Sequence, residues 1–319
     1  MFLLFKCKGR HLNRFGANMT SQYPITRIEG RVAEIGTGLK ISRMVPSRAR
    51  RTVGAWCFLD HAGPVNFAAG DGMNVGPHPH IGLQTFTWMI AGQVRHLDSL
   101  GNDQVIYPHQ VNLMTAGRGI SHAEVSPSET ASTLHAAQLW IALPDSHRHI
   151  DPDFQNYPEL PVVDKQGFKV TVLVGSSLGV TSPVQVFSPL LGLDLEASNA
   201  TTLELPLDPS FEHGLTILEG EATADGEVLT AGTLLFFEAG RPSVTIQTTG
   251  AVRLLLVGGE PFKEDIIVWW NFVGRTHEEI EQALADWNAA NPRFGTIDKP
   301  EAGTRLIAPA LEGHIKGAH

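Results

Sequence analysis

Four side chains in this sequence carry the donor atoms and intervals of a metal cage: His78 and His80 in Gly-Pro-His-Pro-His-Ile-Gly, and His122 and Glu124 in Gly-Arg-Gly-Ile-Ser-His-Ala-Glu. Side chains two apart on an extended strand point to one face, so each pair offers two ligating groups about 7 Å apart at the backbone. Two such strands facing each other make a four-ligand site. Three imidazoles and a carboxylate suit iron, nickel, copper, manganese or zinc better than they suit the soft metals that prefer thiolate. An octahedral ion held by four protein atoms keeps two positions open, enough for dioxygen and a chelating organic substrate together. Tetrahedral zinc would be closed by the same four ligands and would be structural. Iron(II) is therefore the metal expected here, with other divalent first-row metals compatible with the donors.

Such a cage needs strands to hold it. Val111 and Leu113 alternate ahead of a bend at Gly117 and Gly119, which leads into His122 and Glu124. After His80, Leu83, Thr85, Thr87 and Met89 alternate with Gln84, Phe86, Trp88 and Ile90, the pattern of a strand buried on one or both faces. Gly92 and Asp98-Ser99-Leu100-Gly101-Asn102 mark turns, and Gly36-Thr37-Gly38-Leu39-Lys40 reads as a hairpin turn. Between Leu143 and Pro158 the periodicity fades and prolines accumulate, so the boundary between two units is placed there. The expected division is an extension over 1–24, poorly ordered, a metal-binding unit over 25–146, a connector over 147–163 and a second unit over 164–319.

The second unit carries strand-like runs at Gly214–Glu221, Gly232–Phe237 and Arg253–Val257, but of the motif histidines it repeats only His213. No metal is expected there, and its role is packing and shaping the entrance to the first site. Thr276-His277-Glu278-Glu279 is a capping box that opens a helix over about 276–290. Ile280, Ala283, Leu284 and Trp287 supply one apolar stripe for packing on the barrel, and Asn291-Pro292 ends the helix. His147-Arg148-His149 repeats the alternate spacing in a proline-flanked loop without a facing pair, so solvent exposure is expected. His61, His96 and His135 are candidates for hydrogen bonding near the site, or for ordinary satisfied strand and turn positions.

Composition narrows the function class. With 319 residues, 32 glycines, 20 prolines and a net charge of −9, the chain fits two β-rich units with frequent turns. Lys6, Lys8, Arg10 and Arg14 face no acid in the first 18 positions, so the remainder is more acidic still and unsuited to phosphate backbones. The short run Arg48-Ala49-Arg50-Arg51 reads as a solvated turn. No apolar run is long enough to span a bilayer, and Cys7 and Cys57 do not make a disulfide framework. A reducing, cytoplasmic compartment and a monomer are the expectations, with neither nucleic acid nor membrane as a partner. Residues 1–18 read as an extension ahead of an ordinary start at Met19-Thr20.

Several blocks together resemble the pirins of the cupin superfamily: Phe58-Leu59-Asp60-His61-Ala62-Gly63-Pro64, Pro77–Gly82, Arg95-His96-Leu97-Asp98-Ser99-Leu100-Gly101-Asn102, Met114–Glu124 and Trp269-Trp270-Asn271-Phe272-Val273-Gly274-Arg275. The resemblance runs from about Ile25 to beyond Pro300. It implies an all-β bicupin of two stacked antiparallel β-barrels (double-stranded β-helix), with a short C-terminal helix and one iron in the first barrel. The implied ligands are His78, His80, His122 and Glu124. Gln84 and Ile81 depart from the family pattern, where Glu and Arg are common; altered hydrogen bonding around the ligands and a less basic pocket rim are expected from them. The implied activity is quercetin 2,3-dioxygenase chemistry, cleavage of a flavonol by dioxygen with release of carbon monoxide, in which Glu124 ligates and accepts a substrate hydroxyl proton. The alternative it implies is an iron-dependent redox-sensing regulator that binds a transcription factor or a metabolic enzyme.

Overall fold

The computed structural model describes residues 23–35, 39–126, 130–311 and 313–315. The expected extension over 1–24 lies almost wholly outside the described residues, as do Gly36–Gly38 of the expected hairpin turn. In chain order the first strands are β1 (Ile25–Glu29), β2 (Arg31–Ile35), β3 (Leu39–Val45), β4 (Trp56–Phe67), β5 (Asn74–His80), β6 (Leu83–Ala91), β7 (Val94–Asp98), β8 (Asp103–Ile106), β9 (Val111–Thr115), β10 (Ile120–Val125), β11 (Ser132–Ala142) and β12 (Asp153–Tyr157). They build a seven-stranded sheet in the order β12-β9-β6-β11-β4-β3-β2 and a four-stranded sheet in the order β5-β10-β7-β8. A second unit repeats the plan with its own seven-stranded and four-stranded sheets. This is the expected all-β architecture of two stacked antiparallel β-barrels.

The double burial of β6 has a direct cause. Its Phe86, Trp88 and Ile90 enter a core shared with Leu234, Phe236, Leu255 and Val257 of the second unit, while Met89 packs in a separate cluster inside the first. The two seven-stranded sheets are therefore packed back to back, which is why their strands read as near-continuous apolar runs rather than clean alternation. The Trp88 indole in this seam is satisfied: it donates to Asp194 at 3.1 Å, a carboxylate that Arg253 also grips at 2.8 and 2.9 Å. The Trp56 indole donates to the Gly258 carbonyl at 3.1 Å.

Two strands depart from the expected division. β1 pairs with Thr233–Phe237 of the second unit, although it was expected in the first. β12 lies within the expected connector yet pairs with β9 along its full length, from Asp153 opposite Thr115 to Tyr157 opposite Val111. Edge pairing needs only backbone groups, so neither partner choice leaves a strong hydropathy signal.

The helix α1 spans His277–Asn288, and Ile280, Ala283, Leu284 and Trp287 are its buried face. Thr276 accepts from the Glu279 amide at 3.2 Å. The reciprocal bond is shifted by one residue, since Glu279 accepts from the amide of Arg275 at 2.8 Å rather than from that of Thr276. Asn291 caps a following 3₁₀ turn, Pro292–Phe294. No helix among the described residues is long and apolar enough to cross a membrane.

Candidate metal centre

β5 and β10 are antiparallel neighbours, and His122 lies directly across from His78. The bend at Gly117 makes this possible. Its φ of 50° is left-handed, and a Cβ there would lie 2.0 Å from the Ile150 carbonyl oxygen. The chain thus turns from β9 into β10 and brings two segments 42 residues apart into register.

His78, His80 and His122 are buried, and each offers a ring nitrogen within 4.8 Å of the others. Each is oriented through its Nδ1. His78 Nδ1 lies 2.9 Å from the Gly76 carbonyl, and His80 Nδ1 lies 2.9 Å from the Asn271 carbonyl. A carbonyl only accepts, so both Nδ1 atoms carry the proton and both Nε2 lone pairs are free. His122 Nδ1 sits 3.3 Å from His96 Nδ1, while the Nε2 atoms of His80 and His122 face each other at 3.1 Å. Bare lone pairs converging at that distance away from water repel unless a proton or a cation lies between them. Burial is the main cause of the lowered basicity of the three rings, with like charge from the neighbouring histidines adding to it. It keeps His78 neutral down to about pH 4 and holds His80 and His122 well below the usual imidazole range. Neutral imidazole is the ligating form. On donor chemistry, burial and convergence, the three side chains fit a metal ion.

Glu124 stands apart from that cluster. Between the His122–His78 and Glu124–Val75 pairs the register slips, because β5 uses three steps where β10 uses two. The bulge displaces Glu124 relative to His78, and its side chain lines the wall of the same cavity. Burial of the carboxyl pushes its pKa up to about 7.

That cavity has a volume of about 540 Å³. Phe58 and Trp140 stack at 4.0 Å and 12° on one wall, with the Trp140 ring 5.3 Å from His80. Trp269, Trp270 and Asn271 close another wall. They come from a hairpin of Ile267–Trp269 with Phe272–Gly274, so the C-terminal segment both shapes the entrance and anchors His80. Arg43 lies over the Phe58 ring at 4.3 Å and holds Asp60 through two bonds of 2.7 and 2.6 Å. A larger groove of about 720 Å³ runs between Gly175 and Phe211 in the second unit, but Asp208 is its one ionisable lining residue and no imidazole reaches it.

The other sequence candidates divide. Gln84 does not touch the ligands: it reaches Thr115 at 3.0 Å and the Gln185 carbonyl at 3.4 Å, while its strand neighbour Thr85 faces the cavity. Period-two alternation turns Gln84 the other way, so the expected change in ligand hydrogen bonding does not arise. Ile81 is likewise no rim residue. It is buried with Phe272, Trp287 and Phe294, and Arg31 and Arg43 supply the basic groups of the cavity instead. His61 and His135 pair with each other at 2.8 Å, and His135 pairs with Glu219 of the second unit at 3.1 Å, outside the cavity lining. His149 is exposed, as expected, whereas His147 is half-buried against the Phe187 ring at 4.8 Å. His213 is fully buried in the second unit.

Known proteins agree with this architecture. The Pirin family profile matches residues 38–141, and that of the Pirin C-terminal cupin domain matches residues 192–295. A crystal structure of quercetin 2,3-dioxygenase from Acinetobacter baumannii is 53% identical, with a TM-score of 0.89, over 92% of this chain and 97% of that one. A Pseudomonas aeruginosa protein whose name proposes the same quercetin 2,3-dioxygenase activity is 51% identical over 92% of this chain and 93% of its own. Human pirin is 28% identical over 81% of this chain and 90% of its own. With both halves matched and relatives covered almost end to end, this chain belongs to the pirin family.

Proposed function

We propose that this pirin is an iron(II)-dependent dioxygenase that cleaves a flavonol of the quercetin type. The observation that carries the reading is the convergence of three anchored, buried imidazoles at a cavity of about 540 Å³ with stacked aromatic walls. His78, His80 and His122 would hold the ion, with Glu124 as the fourth group. When bound, the iron supplies a Lewis acid that chelates vicinal substrate oxygens and a site at which dioxygen reacts.

The remaining work falls to the protein. Phe58, Trp140 and Trp269 offer flat apolar surfaces to a planar polyphenol, a size and chemistry match for a cavity of this class. Glu124, lining the same cavity, would accept the proton of the substrate hydroxyl at its carboxylate oxygen. Buried walls keep bulk water from the reacting ring. An accessible aromatic cavity at the histidines also favours catalysis over the regulatory reading, which predicts a blocked site. The relatives named as quercetin dioxygenases support the same substrate class.

The test is steady-state oxidation of quercetin in air by the iron-loaded protein, following loss of flavonol absorbance and release of carbon monoxide. Wild type is expected to turn over, and His78→Ala to lose more than the roughly 10–100-fold that outer metal partners carry. Equal rates in the two proteins, or no turnover in either, would reject the assignment.

A further inference from the structure

Of the three imidazoles, His122 alone is not anchored on a backbone carbonyl; its Nδ1 meets the ring of His96. His96 is buried, stacked on Phe154 at 4.2 Å and 12°, and its Nε2 lies 3.0 Å from Asp98 Oδ2. Asp98 is itself held by donors. Its Oδ1 accepts from the amides of Leu100 at 2.9 Å and Asn102 at 3.0 Å, and its Oδ2 accepts from Asn102 Nδ2 at 2.8 Å. These bonds come from the turn Asp98–Asn102, which caps the β7–β8 hairpin.

Once His122 Nε2 is given to a cation, the chain of bonds has one consistent direction. An ionised carboxylate accepts, so His96 Nε2 must carry the proton that points at Asp98. A neutral His96 then has a bare Nδ1, which can only accept. His122 Nδ1 must therefore carry a proton, and the lone pair on His122 Nε2 is left facing His80 Nε2. Reversed, with His96 donating to His122, the proton would sit on His122 Nε2 and block the metal position. Stacking on Phe154 holds the His96 ring in place behind His122.

We propose that His96 and Asp98 are positioning residues, an Asp–His relay that fixes the tautomer of His122 and aims its Nε2 at the metal. The inference rests on the metal reading above, but not on the flavonol as substrate. It follows the general logic that a partner on the far nitrogen of a ligating histidine sets the orientation and basicity of that ligand. Here the partner is a second histidine and the carboxylate stands one link further out.

The test uses the full chain in three forms: wild type, Asp98→Asn and His96→Phe. The asparagine is isosteric but can donate to His96 Nε2, and the phenylalanine keeps the stack on Phe154 while removing the acceptor. Zinc(II)-loaded protein labelled with ¹⁵N reports which nitrogen of His96 is protonated through long-range ¹H–¹⁵N correlations, the diamagnetic cation lying where the Nε2 atoms of His80 and His122 converge. The assignment comes from loss of that signal in His96→Phe. Competition titration with iron(II) and zinc(II) gives affinity, and circular dichroism with thermal unfolding reports whether each variant folds. Protonation of His96 on Nε2, toward Asp98, is expected in zinc(II)-loaded wild type, with roughly 10–100-fold weaker metal binding in both folded variants. A zinc(II)-loaded wild type with His96 protonated on Nδ1, or folded variants that bind both metals as tightly as wild type, overturns the relay while leaving the metal site standing. A wild type that binds neither metal overturns the metal reading and the relay together. Tight metal binding without quercetin turnover rejects the flavonol assignment only, with the His96 tautomer and the shifts in affinity still supporting the relay.

Discussion

At the residue scale, the centre works because each imidazole is told which nitrogen to present. Two carbonyls and one histidine meet their Nδ1 atoms, and the three rings each bring one nitrogen to within 4.8 Å of the others. Glu124 belongs to the same cavity through a bulged register, and its role can be separated by experiment. Glu124→Ala is expected to weaken iron retention, measured as metal content after dialysis against a chelator. Metal content equal to wild type would remove Glu124 from the ligand set.

A second residue-scale expectation concerns acid. Burial is the first cause that keeps His213 neutral, lowering its pKa to about 4, and both ring nitrogens lack a partner among the described residues. An unfolded histidine titrates near 6.5. As pH falls below that value the unfolded chain takes up a proton that the folded chain refuses until about 4, so stability is full above 6.5 and declines toward 4. His213 alone accounts for a loss on the order of 3 kcal/mol across that window. Urea unfolding as a function of pH is expected to show a shallower acid decline in His213→Leu, and parallel curves would rule the contribution out.

At the scale of elements, the helix and the strands were legible to different degrees. The capping residue and the Ile280, Ala283, Leu284, Trp287 stripe are local signals, and α1 follows them to within two residues at its C-terminal end. Thr276→Ala removes a cap and is expected to lower stability by about 1 kcal/mol. An unchanged midpoint in chemical denaturation would show that the Glu279 bond to Arg275 suffices to hold the helix start. β5 and β10 were readable because histidine and glutamate at period two stand out against their surroundings. β12 was not, because Asp153-Phe154-Gln155-Asn156-Tyr157 is polar and half-buried and earns its strand conformation from β9 alone. Its Phe154 nevertheless supplies the ring that steadies His96.

At the scale of the whole molecule, the two seven-stranded sheets share one apolar seam, so neither unit keeps its packing without the other. Trp88 is fully buried there and also donates to Asp194 across the seam. Trp88→Ala is expected to cost about 3–5 kcal/mol. Calorimetry should record one unfolding transition for the wild type, displaced downward in the variant, and two resolved wild-type transitions would show that the units unfold independently. The C-terminal hairpin extends the same interdependence to the metal centre, because the Asn271 carbonyl orients His80 from 191 residues away.

Donor identity, period-two spacing, the capping box and the alternating apolar runs are properties of short windows, so the ligand candidates, the strand-rich architecture and the helix could be read in the chain itself. Partner choice is different in kind. The joining of β1 to the second unit, the turning of Gln84 and Ile81 away from the cavity, the bulge beside Glu124 and the placement of His96 behind His122 all depend on which distant segments come to lie side by side. Backbone hydrogen bonding is blind to sequence, and side-chain direction follows register, so only the folded chain could decide which histidine orients which.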